Sequence, residues 1–387
     1  MPMRKFVIGT VGCAIVAGLL LGASTPTRAY VYSTTGQWGS WTDGYYTVYA
    51  DEWGATSGQS FFVNSASSWM STSNFGSGGI KAYPSTTFSC NNAPLSSLSG
   101  VNTSFNFTSP SGAYYDWAYD VWSANNADEI MIWEQWNYDG PISSAYGSNG
   151  APTPIYTNVN IDGATWNVYQ GNPGHNVVSF LRTSQTTSGN QNALAFMNWC
   201  ASNNLLVSRT LSTVDFGVEI TTTVGTQNFT LNSFSSSVKK YSSAITNGNH
   251  TLTPQHATGS RLDAYNWGST NGTKVQIWQS SNGTNQNWNF TNQGGGVYTI
   301  KPSYSTGMCL EVAGMGSANG TTTQLWGCWG GANQNWGALS DGGNVYELEP
   351  QTALGSRMDV SAAGTANGTN VQIWQATGGG NQKWAVN

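Results

Sequence analysis

The chain has 387 residues, of which only 8% are charged against a usual level of about 25%, and it carries a formal net charge of −5 with 18 Trp and 18 Tyr. That balance, with no Lys/Arg run, excludes a nucleic-acid or anionic-membrane partner, and 13% aromatic residues exclude a disordered chain. A neutral partner presenting hydroxyls and flat apolar faces fits instead, because aromatic rings stack on sugars at little desolvation cost.

In chain order, residues 1–29 place Arg4 and Lys5 ahead of an apolar run that ends in small and polar residues and then Thr27-Arg28-Ala29. This is the layout of a secretory signal peptide cut after Ala29. A membrane anchor is the alternative, since Phe6 to Ala23 is nearly long enough to span a bilayer. No other segment approaches a span, so the mature protein is expected to be secreted, extracellular, soluble and monomeric.

Residues 30–240 contain short strand-like runs such as YYTVYADEW, TSFNF, TWNVY and VVSFL between Gly, Ser and Asn turns, and only Gln191 to Asn204 reads as a helix. An all-β sandwich is expected. In EIMIWEQW, Glu129 to Trp136, strand alternation sets Ile130 and Ile132 on one face and Glu129, Met131 and Trp133 on the other. DFGVEI, Asp215 to Ile220, sets Phe216, Val218 and Ile220 against Asp215, Gly217 and Glu219, and AYDVW sets Tyr119 and Val121 against Asp120. The segment holds twelve acidic and five basic residues, a net of −7, so carboxylates inside its strands call for a reason. If Glu129 and Glu219 meet across one concave sheet, they form the paired carboxylates of a glycosidase. Met131 reads as packing filler, Trp133 and Trp53 as stacking platforms, and Asp116 as a loop or edge charge.

Residues 241–248 form a short link, which implies limited independence of the two parts rather than a flexible tether. Beyond it, residues 249–387 repeat with a period of 48. HTLTP, YTIKP and YELEP open three copies, each ending in Asn-Gln-x-Trp at Trp288, Trp336 and Trp384. The copies divide into short alternating runs at Asn-Gly and Gly-rich turns, which points to a closed threefold all-β module. The four cysteines of the mature chain suit an oxidising compartment. His175, His250 and His256 make no ligand spacing, so neither a metal site nor a cofactor is expected.

The C-terminal repeat resembles the ricin B-type β-trefoil, in particular carbohydrate-binding module family 13. In that family a lobe binds sugar through an Asp, an aromatic 15 residues on and an Asn 22 residues on. The resemblance therefore implies Asp263, Trp278 and Asn285 in the first lobe and Asp359, Trp374 and Asn381 in the third. The second lobe offers Glu311, whose longer carboxylate would push into the sugar's place. The resemblance further implies that Trp288, Trp336 and Trp384 are core and that Cys309 pairs with Cys328, leaving Cys90 and Cys200 open. A loop of that size contributes roughly 3 kcal/mol in the chain-entropy treatment.

The N-terminal domain resembles glycoside hydrolase family 12, the jelly-roll β-1,4-glucanases. The matching residues are Glu129-Ile130-Met131-Ile132-Trp133, Gly217-Val218-Glu219-Ile220 with Phe229 to Phe234, and Tyr119-Asp120. Further matches are Glu52-Trp53-Gly54, Gly140-Pro141-Ile142 and Trp166 to Gly171. The resemblance implies a nucleophile at Glu129, an acid/base at Glu219 and a neighbouring Asp120 that holds a proton toward the nucleophile. It also implies substrate contacts at Trp53, Trp133 and Pro141. Asp51 stands where the family has a sugar-binding Asn, and Glu134 where an apolar residue is common. Together the two resemblances imply a jelly-roll β-sandwich joined to a three-lobed β-trefoil, with a polysaccharide as partner. The expected activity is a retaining endo-β-1,4-glucanase acting on cellulose-like or mixed-linkage β-glucan. A xyloglucan-specific hydrolase and a related jelly-roll xylanase are alternatives, and a non-catalytic lectin is the alternative of another class.

Overall fold

The computed structural model describes residues 30–387, so the signal-peptide segment lies outside the described residues. The N-terminal part is a sandwich of two sheets. Its strands are β1 (Tyr32–Thr34), β2 (Ser40–Asp43), β3 (Tyr46–Tyr49), β4 (Gln59–Ser65), β5 (Ser68–Ser73), β6 (Ser85–Pro94), β7 (Leu98–Thr108) and β8 (Tyr114–Trp122). They continue as β9 (Asp128–Asn137), β10 (Tyr156–Ile161), β11 (Ala164–Gly171), β12 (Asn176–Arg182), β13 (Ser188–Asn192), β14 (Thr210–Thr222) and β15 (Gln227–Lys240). The six-stranded sheet runs β1-β4-β5-β15-β7-β13, and the nine-stranded sheet runs β10-β11-β12-β9-β8-β14-β6-β3-β2. Helix α1 (Ala193–Ser202) is shorter than its sequence pattern, because Asn192 still pairs with Asn102 of β7.

Period-2 alternation decides where the core sits. Ile130, Ile132, Tyr119, Val121, Phe216, Val218 and Ile220 are fully buried between the sheets. Aromatic rings fill the middle: Trp117 stacks on Trp69 at 5.7 Å and on Phe107 at 4.4 Å, and Phe216 stacks on Phe234 at 5.6 Å. The opposite face of the nine-stranded sheet has a smaller apolar cluster of Ala118, Met131, Trp133, Val177 and Leu181. The strand that carries Glu129, β9, is thus backed by one core and floored by another. Among the described residues Cys90 and Cys200 are buried and unpaired.

Residues 249–387 build a second core around Leu262, Leu310 and Met358, into which Trp288, Trp336 and Trp384 are fully buried. Each indole N–H donates at 3.0 Å to a carbonyl of its own lobe, at Leu262, Leu310 and Met358 respectively. Identical bonds at a 48-residue spacing are the threefold repeat expressed as geometry. Cys309 and Cys328 are joined by a disulfide.

Between the two cores the chain is packed rather than loose. Tyr241 is buried, donates its hydroxyl to Glu349 Oε2 at 2.6 Å and accepts from Gln351 Nε2 at 3.0 Å. Gly337 is required beside it, because a Cβ there would lie 2.3 Å from the Tyr241 ring. Ser242 N donates to Ala338 O at 2.6 Å, adding a backbone bond at the same junction.

The disulfide yields a stability test. Replacing Cys309 and Cys328 together by Ala frees a loop of 19 residues and should lower the trefoil's unfolding free energy by about 3 kcal/mol. In denaturant titrations followed by Trp fluorescence, the trefoil transition should move to lower denaturant while the sandwich transition stays in place.

Candidate active site

The concave face of the nine-stranded sheet carries a cavity of about 730 Å³. Register explains which carboxylates reach it. Asp120 pairs with Asp215 on one side and with Met131 on the other, Glu219 lies opposite Asp116, and Glu129 lies opposite Trp122. These side chains occupy the face turned away from the aromatic core. Gly217, between Asp215 and Glu219, is a close-approach position: a Cβ there would sit 2.4 Å from Pro84 O.

Glu129, Glu219, Asp120, Asp51, Trp53 and Trp133 all line the cavity. Trp53 is half-exposed, whereas Trp133 is only 2% exposed and forms part of the floor. Pro141 does not line the cavity; its neighbours Gly140 and Ile142 do. Met131 is buried in the floor cluster and also borders the cavity. Glu134 points to the other face, fully buried, where Arg182 donates to it at 2.7 Å and Gln191 at 2.6 Å.

One expectation is corrected here. Asp116 is not a loop or edge charge: it is 1% exposed in mid-strand, directly opposite Glu219, and shares a hydrogen bond with it. Asp120 lines the same cavity as Glu129, whose charge adds to burial in raising it. His175 Nε2 lies 2.6 Å from Oε2 of Glu129. His175 lies in an Asn-Pro-Gly-His turn before β12, a stretch that in sequence resembles any other polar hairpin.

Burial dominates the electrostatics. It raises Glu219 to about 8, with the Glu129 charge as the next cause and the Asp116 hydrogen bond opposing. Burial pushes Asp215 to about 7, opposed by bonds from Thr87 and Thr213. Asp120 is held well above the carboxylate range by burial and then by Glu129, and Asp116 by burial and then by Glu219. Glu129 is also raised by burial, but the His175 bond and charge pull it back. Burial thus raises both Glu129 and Glu219, but only Glu129 has a basic side chain, His175, drawing it back toward the ionised form. That is the requirement for acid/base work beside a nucleophile.

The trefoil carries three smaller polar sites. Asp263 accepts from Gln276 at 3.0 Å, Asn285 at 2.8 Å and Gln286 at 3.1 Å. Asp359 accepts from Gln372 at 3.1 Å, Asn381 at 2.7 Å and Gln382 at 3.1 Å. Glu311 is buried on the same three kinds of donor, Gln324, Asn333 and Gln334, so its extra methylene is absorbed within the lobe. Trp278, Trp326 and Trp374 remain exposed beside these carboxylates. The first lobe alone adds Tyr265 and Trp267, which border a cavity of about 260 Å³ with Asp263 and Trp278; the third lobe has Ser361 and Ala363 at those places.

Comparison with known proteins agrees with both parts. Residues 34–239 match the model of glycosyl hydrolase family 12, and residues 226–326 and 284–374 match that of the ricin-type β-trefoil lectin domain. The chain is 33% identical over 225 residues to a xyloglucan-specific endo-β-1,4-glucanase A of Emericella nidulans, covering 53% of this chain and 90% of that protein. It is 32% identical over 204 residues to a xyloglucan-specific endo-β-1,4-glucanase A of Aspergillus niger, covering 48% and 82%. Among solved structures it is similar to the xyloglucanase domain of a type three effector from Sinorhizobium fredii in complex with cellobiose. That match has 38% identity and a TM-score of 0.52, over 54% of this chain and 99% of that one.

The raised Glu219 has a consequence for stability. In the unfolded chain this carboxyl returns to 4.5, so between about 4.5 and 8 the folded state holds a proton that the unfolded state has released. Stability from this group is complete below that window and is lost as pH rises through it. Glu219→Gln cannot lose the proton. Its melting temperature should therefore match the wild type near pH 4 and exceed it by a margin that grows up to about pH 8, as calorimetry across that range would measure.

Proposed function

This chain belongs to glycosyl hydrolase family 12, and from that premise we propose that it is a secreted, retaining endo-β-1,4-glucanase that favours xyloglucan and is held to glycan by its trefoil. Endo-β-1,4-glucanase activity is the chemistry named for its relatives from Emericella nidulans and Aspergillus niger. The observation that carries the reading is the pair Glu129 and Glu219 in one cleft, with Glu219 raised to about 8 by burial and Glu129 in contact with His175, which opposes its own rise. The names of the relatives favour the branched glucan over the linear glucan expected from sequence. Secretion is supported by the Arg4-Lys5, apolar and Thr-Arg-Ala order of residues 1–29.

In the first step Glu129 attacks the anomeric carbon as Glu219 gives its proton to the departing glycosidic oxygen. In the second, Glu219 takes a proton from water, the water oxygen bonds to the anomeric carbon, and Glu129 leaves as a carboxylate. Forming the ester removes the Glu129 charge, which lowers Glu219 and readies it to act as base. Trp53 offers an exposed ring for stacking along the chain, and Asp51, raised by burial, offers a hydroxyl partner.

Incubation with xyloglucan, mixed-linkage β-glucan, carboxymethyl cellulose and xylan, with new reducing ends followed, tests this directly. Xyloglucan should give the fastest release, xylan none, and Glu129→Gln and Glu219→Gln should each lose at least about a thousandfold. Fresh products read by proton NMR should carry the β-anomer. No release from any of the four would leave a two-domain sugar binder.

For the trefoil, the three-ring wall of the first lobe favours stronger binding there than in the third. In the inactive Glu129→Gln background, Trp278→Ala should weaken glycan binding roughly tenfold, a loss of about 1.4 kcal/mol. Trp374→Ala should cost less in the same titration calorimetry.

A further inference from the structure

Five carboxylates line the cleft, Asp51, Asp120, Glu129, Asp215 and Glu219, and among the described residues His175 is the one basic side chain that lines it with them. Its Nε2 is 2.6 Å from Oε2 of Glu129. An ionised carboxylate only accepts, so the ring nitrogen carries the proton of this contact. The ring of Trp122 lies beside the imidazole, 5.3 Å between centroids.

The placement is built from beneath. Asn176, the residue after His175, pairs with Asp128, the residue before Glu129, where β12 and β9 run parallel. The Asn176 amide donates to Asp128 Oδ1 and to Leu205 O, both at 2.8 Å, and its own Oδ1 accepts from Gln170 at 2.9 Å. Asp128 is fully buried and also accepts from Ser123 Oγ at 2.8 Å, Val207 N at 2.7 Å and Ser208 N at 2.8 Å. One saturated carboxylate thus ties together the backbone on which both Glu129 and His175 stand.

Resting on the retaining mechanism, we propose that His175 is a positioning residue for the nucleophile: its Nε2–H holds Oε2 of Glu129, leaves Oε1 free to bond to the anomeric carbon, and stabilises the carboxylate each time it re-forms. The effect differs between the two steps. When the Oε1–carbon bond forms, the negative charge leaves the carboxylate and Oε2 becomes an ester carbonyl, a weaker acceptor. When water displaces the sugar, the electron pair of that bond returns to Glu129, and the His175 bond strengthens as it does so. His175 therefore favours departure of the nucleophile in the second step and keeps it ionised before the first. The groups facing Glu129 are Asp120 from β8, Asp215 and Glu219 from β14, and His175 from the turn before β12; Asp128, next to it on β9, is committed to its four donors. Burial raises Glu129, and only His175 lowers it.

The test uses the full chain with His175→Ala and His175→Gln, a soluble aryl cellotrioside, and the pH profile of kcat/KM. Glycosyl-enzyme is measured by intact-protein mass spectrometry after quenching. In His175→Ala the acid limb should move up by about 1 pH unit, and the fraction of enzyme carrying the sugar at steady state should rise severalfold. His175→Gln, which keeps a side-chain N–H donor, should show a smaller shift and less accumulated ester. An acid limb that stays in place in both variants, at an unchanged melting temperature, would overturn the proposal. Failure of the retaining mechanism would register separately, as α-anomeric product and no ester on Glu129 in the unsubstituted protein.

Discussion

Burying several carboxylates on one face of one sheet is the constraint on which the rest of this structure depends. Each would take water if the backbone let it turn outward, and the opposite face prevents that. Ile130, Ile132, Phe216, Val218 and Ile220 are packed with no exposure against stacked Trp and Phe rings, so β8, β9 and β14 cannot roll without opening the core. With the geometry held, the carboxylates relieve their repulsion by keeping protons instead of by moving. The raised pKa values of Glu219, Asp215, Asp116 and Asp120 arise first from that burial, and the charges of neighbouring carboxylates add to it.

Partner number separates the cleft carboxylates from the others. Asp128 takes four donors, and Asp263, Asp359 and Glu311 each take three amides. In the cleft, Asp120 and Asp215 each keep one buried oxygen with no partner, as does Asp116 on the strand beside Glu219. A buried acceptor without a donor costs about 1–3 kcal/mol. Several such groups in one cavity mark a surface shaped for hydroxyls that arrive with a substrate. The trefoil makes a different arrangement: its carboxylates each take three donors from the lobe, and Asn285 and Asn333 keep a buried oxygen without a partner beside them.

Much of this was legible in the chain. Period-2 alternation placed Ile130 opposite Met131 and Phe216 opposite Glu219, and the 48-residue period placed three indoles at equivalent points of a second core. The choice of Glu129 and Glu219 came from motif resemblance. What escaped was whatever depends on register between strands distant in sequence. Asp116 is ordinary until β8 is laid against β14 and it falls opposite Glu219. His175 is 46 residues from Glu129, and only the parallel pairing of β12 with β9 brings them together. Alternation states which face a side chain takes; it is silent about its neighbour on that face.

The same silence covers the junction of the two parts, where the threefold symmetry of the trefoil is broken. Equivalent positions in the three lobes hold Arg261, Cys309 and Arg357. Arg261 reaches only the exposed side chain of Asn282, and Cys309 closes the disulfide. Arg357 instead bonds Glu347 at 2.6 Å and Glu349 at 3.0 Å, and Glu349 in turn receives the hydroxyl of Tyr241. A disulfide in the third lobe would remove the guanidinium that donates to buried Glu349, the same side chain that accepts from Tyr241. The lobe that faces the sandwich is therefore held by charge where the second lobe is held by a covalent bond, and Gly337 clears the space that the Tyr241 ring needs to reach it.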